Sequence, residues 1–135
     1  MKKAIIFFLL GIGTGINMTV CTQKAIKSVA TRPTGVFSTL KYNEETGDIG
    51  GREINIFIGR DGPMVLYQEA AGEPMTPHLV QAEITDDHHI SFRIPEENRS
   101  ILYTGRITPK ALYLKSQGDE PQDVCVLPRK KGYWE

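Results

Sequence analysis

Between Gly35 and Leu127 the chain repeatedly alternates apolar and polar residues, and each run ends in turn-forming chemistry. Ile54, Ile56 and Ile58 alternate with Glu53, Asn55 and Phe57; Gly59-Arg60-Asp61-Gly62-Pro63 interrupts the run, and Met64-Val65-Leu66-Tyr67 resumes it. That is a β-hairpin signal, with the three isoleucines predicted on one face. A hairpin alone in water is marginal, so the isoleucine face needs further sheet to cover it.

The remaining runs supply that sheet. Val36, Ser38, Leu40 and Tyr42 alternate with Phe37, Thr39 and Lys41 and predict a first strand, followed by a polar, Gly-rich loop from Asn43 to Gly51. The loop Ala71–Pro77 contains two prolines and excludes helix there. Strands are then predicted over His78–Ile84, over His89–Ile94 after Asp86-Asp87, and over Ile101–Ile107, where Gly105 suggests a bulge or bend. Two more follow at Ala111–Lys115 and Asp123–Leu127, separated by a Gly/Pro/acidic loop. Eight short strands at a spacing of about 8 to 12 residues, with no helical periodicity, predict an all-β domain. Short sequential connections favour a single up-and-down antiparallel β-barrel of about eight strands, with a β-sandwich as the alternative. The strands are too short for a membrane barrel, whose strands need about 9 to 11 residues. A soluble eight-stranded barrel has an interior that side chains fill or that holds one small ligand.

The 135 residues suffice for one domain with a core. The first thirty have a different layout. Lys2-Lys3 precede an uncharged stretch from Ala4 to Ile16 and then polar Asn17, Thr19, Thr22 and Gln23, the order of a secretory signal peptide. The expected organisation is a signal segment over 1–22, a flexible tether over 23–34 and a barrel over 35–135. An uncleaved anchor is the competing reading, since Ala4 to Val20 is about 17 residues, the lower edge of a bilayer span. Cys21 follows the apolar stretch where bacterial lipoproteins are cut and acylated, although Val20 departs from the small residue that pattern carries beside the cut. Cys21 is therefore a lesser lipidation candidate. Cys125 in Val124-Cys125-Val126-Leu127 reads as a buried thiol, with a disulfide to Cys21 as the alternative.

Lys and Arg number 16 and Asp and Glu 16, so the balance gives no reason to expect a nucleic-acid partner. Contact with a membrane is expected only through the signal segment or a lipid on Cys21.

Chemistry-bearing patterns are sparse. Asp86-Asp87-His88-His89 has metal-ligand residue types, but neighbouring strand residues point to opposite faces, and a zinc site needs three or four protein ligands. No metal and no cofactor are expected. Glu44-Glu45, Glu96-Glu97 and Asp119-Glu120 are loop neighbours and read as solvated, and no Gly-x-Ser-x-Gly elbow occurs. Tyr67, Gln68, Arg93, Tyr103 and Arg106, with Tyr113, remain as strand residues of the types that anchor partners, and they are the weak ligand-binding candidates. Trp134 is expected to cap one end of the core.

Gly35-Val36-Phe37, Gly51-Arg52-Glu53-Ile54-Asn55-Ile56-Phe57 and Leu127-Pro128-Arg129-Lys130-Lys131-Gly132-Tyr133-Trp134 resemble the corresponding stretches of small exported bacterial β-barrel proteins of uncharacterised function. The resemblance implies export and a β fold; likeness to lipocalin-like or avidin-like barrels is architectural only. The expectation is an exported, non-enzymatic binding protein of the periplasm or cell envelope that takes a small apolar ligand or a protein partner. The alternatives are an inhibitor or immunity-type protein acting through the loops Asn43–Gly51 and Ala71–Pro77, and a hydrolase whose site is drawn from separate strands.

Overall fold

Alternation of side chains across a strand makes the apolar phase of each run one face of a sheet, and closing the sheet turns that face into a core. The computed structural model describes residues 30–118 and 123–131. The predicted signal segment, Cys21 and Trp134 lie outside the described residues. The strands are β1 (Gly35–Ser38), β2 (Lys41–Tyr42), β3 (Ile49–Gly59), β4 (Gly62–Gly72), β5 (His78–Ile84), β6 (His89–Pro95), β7 (Ser100–Ile107), β8 (Ala111–Ser116) and β9 (Cys125–Lys130). From β3 to β9 each strand pairs antiparallel with the next, and β1 pairs with both β9 and β3. The result is the closed, eight-stranded antiparallel barrel predicted from the pattern, with β2 as an extra short strand along β3.

The core consists of the inward phase of every barrel strand. Phe37, Ile54, Ile56, Val65, Ile90, Ile107, Leu112, Leu114 and Leu127 are almost fully buried, and Tyr67, Phe92, Ile94 and Tyr103 nearly so. Val80, Ile84, Ile101 and Cys125 pack against them. Cys125 keeps the phase of Leu127, so its thiol lies against the core rather than in a loop.

β3 begins at Ile49 and β4 ends at Gly72, inside the expected loops Asn43–Gly51 and Ala71–Pro77, because the two strands pair along their whole length. Three further boundaries differ from the sequence reading, each for a local reason. The hairpin turn is only Arg60-Asp61, with Gly59 opposite Gly62, and Pro63 joins β4 opposite Ile58. That puts Ile58 at the hairpin tip, 62% exposed, so only Ile54 and Ile56 of the three isoleucines enter the core. The first predicted strand is divided: β1 stops at Ser38 and β2 starts at Lys41. The last strand runs on to Lys130 and takes Pro128 with it.

The two ends of the barrel are unlike. At one end, turns of two to four residues join β3 to β4, β5 to β6 and β7 to β8. Arg129, in phase with Leu127, closes that end: its guanidinium carbon lies 4.5 Å from the centre of the Phe37 ring. Its Nη1 donates to Thr34 O at 2.6 Å, and its Nη2 to Arg32 O at 2.8 Å and Thr108 O at 3.2 Å. Gly35 makes room for it, since a β-carbon there would collide with Nη1. Residues Arg32–Thr34 are thus fastened beneath that end. The opposite end carries the connections Asn43–Asp48, Glu73–Pro77, Glu96–Arg99 and the β8–β9 loop.

Candidate functional site

Loops at the rim of a rigid barrel are where such folds carry binding groups. Here β3 and β4, eleven residues each, are longer than the other strands and run past the rim. With β2 they form a tongue in which Lys41 faces Gly50, Tyr42 faces Ile49, and Ile49–Gly51 face Ala70–Gly72. The division of β1 from β2 produces this shape. Thr39 N donates to Arg52 O at 2.8 Å, but Arg52 N is answered by the Thr39 hydroxyl at 3.1 Å instead of the Thr39 carbonyl. The Leu40 amide turns to Ser38 Oγ at 3.1 Å. β1 therefore leaves β9 after only two residue pairs, Val36 with Lys130 and Phe37 with Arg129.

Beyond that point the wall parts between β2 and β9. A groove of about 1060 Å³ lies there, lined by Tyr42, the Asn43–Glu45 and Asp48 part of the loop, and Val126, Pro128 and Lys130 of β9. The direction of the backbone groups follows from the ladders. Arg129 N donates to Lys110 O, so strand alternation turns Val126 N–H and C=O away from β8 and towards the groove, while the Pro128 carbonyl, in the same phase, is taken by Ser38 N–H as the Phe37–Arg129 pairing requires. Asn43 N donates to Asp48 O, so the Tyr42 amide and carbonyl likewise face away from β3. Pro128, which has no N–H to offer, occupies a groove-facing position, where proline is tolerated in a sheet. Glu44, Glu45 and Asp48 are exposed and enter no described ion pair, leaving negative charge at the rim end of the groove.

Inside the rim sits a second feature. Arg52 has the phase of Ile54 and Ile56, and Glu69 that of Val65 and Tyr67, so both charged side chains point inward. Arg52 Nη2 donates to Glu69 Oε1 at 3.1 Å, and the Tyr67 hydroxyl donates to Glu69 Oε2 at 2.9 Å. The Tyr67 and Tyr103 hydroxyl oxygens are 3.3 Å apart, and the Arg52 guanidinium lies 5.5 and 5.6 Å from the two ring centres. Phe92 stacks on Tyr103 at 5.4 Å, below them. Burial, then the hydroxyl shared with Tyr103, push the Tyr67 pKa far above the ordinary phenol range; the Arg52 charge only partly offsets this. Burial works against the Arg52 charge, but Tyr67, Glu69 and Tyr103 outweigh it and push its pKa up. Arg52 Nε is buried with no hydrogen-bond partner among the described residues. A neutral phenol donates to a carboxylate already paired with a guanidinium, so the cluster's polar groups are largely spent on one another. It caps the core.

The sequence-predicted residues do not converge. Tyr67 and Tyr103, expected among the partner-anchoring residues, are on the inner face and touch each other; their phase with Val65 and Ile101 carries them inward. Gln68 is on the outer face opposite Glu53. Arg93 is exposed on the outer wall opposite Leu102, and Arg106 is exposed between His89 and Tyr113. Asp86–His88 form a turn with His88 at φ +64°, and His89 Nε2 lies 3.4 Å from Asp87 Oδ2. The Thr85 hydroxyl bonds to the Asp87 carboxylate, which lowers its pKa. His78 stands opposite Tyr67 on β5, away from that turn. Among the described residues no three His, Cys, Asp or Glu side chains gather as a metal site requires. Arg52 and Glu69 were missed, although their two-residue spacing from Ile54 and Tyr67 is the signal that finds them.

Comparison with protein-family models, curated proteins and solved structures gives no match to this chain.

Proposed function

We propose that the chain is an exported, non-enzymatic binding protein of the bacterial cell envelope, and that its partner is a protein met at the loop-bearing end. Export is supported by the Lys2-Lys3 start, the uncharged stretch after it, and the resemblance to exported bacterial barrels. The observation that carries the choice between ligand classes is the filling of the barrel. Core side chains from all eight strands meet across the axis, and the Arg52–Glu69 pair with Tyr67 and Tyr103 covers them at the loop-bearing end. A small apolar ligand inside would have to displace close-packed side chains, at a cost of about 1 to 3 kcal/mol for even modest overpacking. The groove and loops at the rim need no such displacement.

Native mass spectrometry of the protein isolated from the envelope fraction of its own host tests this. The expected species is a complex with a second protein in fixed ratio. A retained apolar small molecule in place of a protein would overturn the reading.

A further inference from the structure

The groove between β2 and β9 has an unusual composition of walls: two strand edges whose backbone groups face each other across open space. Side-chain pockets recognise side chains, but strand-edge N–H and C=O groups that no described strand answers recognise another strand. Val126 offers both groups from β9, and Tyr42 offers both groups from β2. On the proposed reading that the partner is a protein, we infer that an extended segment of this partner enters the groove and pairs antiparallel with β9 as an added strand.

Direction and chemistry follow. β1 runs antiparallel to β9 as far as the Phe37–Arg129 pair and then bends away at Thr39. The added strand takes the place that β1 leaves, so it runs in the direction of β1, from the Lys130 end towards the rim. Its C-terminal part reaches Glu44, Glu45 and Asp48, three carboxylates without a described ion-pair partner. The segment is therefore one that alternates apolar and polar residues and carries lysine or arginine towards its C-terminal side. Val126 and Tyr42, both well exposed, offer apolar surface to its alternate residues. β1 limits the pairing to the rim half of β9, because Ser38 N–H already answers the Pro128 carbonyl and Pro128 has no N–H of its own. That limit keeps the edge from templating copies of the chain while leaving one short stretch for a partner.

The test uses linear peptides selected from a random displayed library on the purified chain, then synthesised. The expected peptides have alternating apolar residues with a basic residue towards the C-terminal side, and they protect the Val126 and Tyr42 amides from hydrogen exchange. Val126→Pro removes a groove-facing N–H at an edge position that tolerates proline. It should weaken binding about fivefold to tenfold with unfolding unchanged, whereas Val126→Thr should change it by less than about threefold. N-methylation of the peptide amides that face β9 should abolish binding, whereas N-methylation of those that face β2 should weaken it less, a result independent of how any protein variant folds. Charge removal by Glu44→Gln, Glu45→Gln and Asp48→Asn together should weaken binding and reduce its salt dependence. The inference is overturned by failure to select any such peptide, by protection confined to the Glu73–Pro77 or Glu96–Arg99 loops, or by N-methylated peptides that bind equally in both phases. A host protein that co-isolates with Val126→Pro at the affinity of the parent would sink strand addition and leave protein binding standing; the absence of any host protein would sink both.

Discussion

Thr39 and Gly51 meet where the barrel wall divides. Gly51 has φ +113°, and a β-carbon on it would lie 2.5 Å from the Thr39 carbonyl oxygen. The kink that turns β1 into β2 therefore depends on a glycine opposite it, both for the backbone angle and for the space. Gly51→Ala should destabilise the barrel by about 2 kcal/mol or more. Gly50, one residue earlier in the same strand, has nothing within 4 Å of its would-be β-carbon, and Gly50→Ala should cost little. Chemical denaturation of the two variants checks this; equal costs would mean that the close approach does not shape the kink.

Ile56 and Ile58 provide a second contrast. Ile56 is 1% exposed in the core and Ile58 is 62% exposed at the hairpin tip. Ile56→Asp should cost more than about 3 kcal/mol, because an unpartnered carboxylate would enter the core. Ile58→Asp should stay within about 0.5 kcal/mol of the parent. Thermal unfolding separates the two.

Arg129 should behave as a structural side chain whose geometry matters as well as its charge. Its planar guanidinium reaches three backbone carbonyls from one position over the Phe37 ring, which a lysine ammonium cannot do. Arg129→Lys should lose about 2 kcal/mol and expose Arg32–Thr34 to proteolysis before the barrel unfolds. Limited proteolysis with mass mapping reads both effects.

The Tyr67 hydroxyl carries a pH prediction. Its folded-state pKa is raised from 10.0 by burial and by the Tyr103 hydroxyl. The unfolded chain therefore gives up this proton first as pH rises, so its contribution to stability is whole below about pH 10 and declines above it. Tyr67→Phe should flatten the alkaline loss of stability. Phenolate absorbance gained between about pH 10 and 12 should be the same in the variant and the parent, since folded Tyr67 stays protonated there. A parent that gains one tyrosine's worth more would place Tyr67 in contact with solvent.

The barrel was legible because period-two alternation in Ile54/Ile56, Ile90/Phe92/Ile94 and Leu112/Leu114 survives without alignment to anything else. What the pattern concealed were the exceptions to it. The division at Thr39 arises from a side-chain hydroxyl replacing a backbone carbonyl, and no propensity marks that. Arg52 and Glu69 stand in the apolar phase, but a charge near a strand end reads equally as the start of a loop. Only the pairing of β3 with β4, which sets Arg52 opposite Glu69, shows that they meet inside the rim. The groove likewise depends on which strands fail to pair, a property of tertiary register that alternation does not contain.

The central claim, that a protein partner is met at the rim and not on the barrel wall, is tested most directly by photocrosslinking in the native host. A photoreactive side chain at Tyr42, 64% exposed beside the groove, should give one discrete protein adduct. The same group at Arg93, exposed on the outer wall, should give none. Adducts from Arg93 and none from Tyr42 would contradict the account.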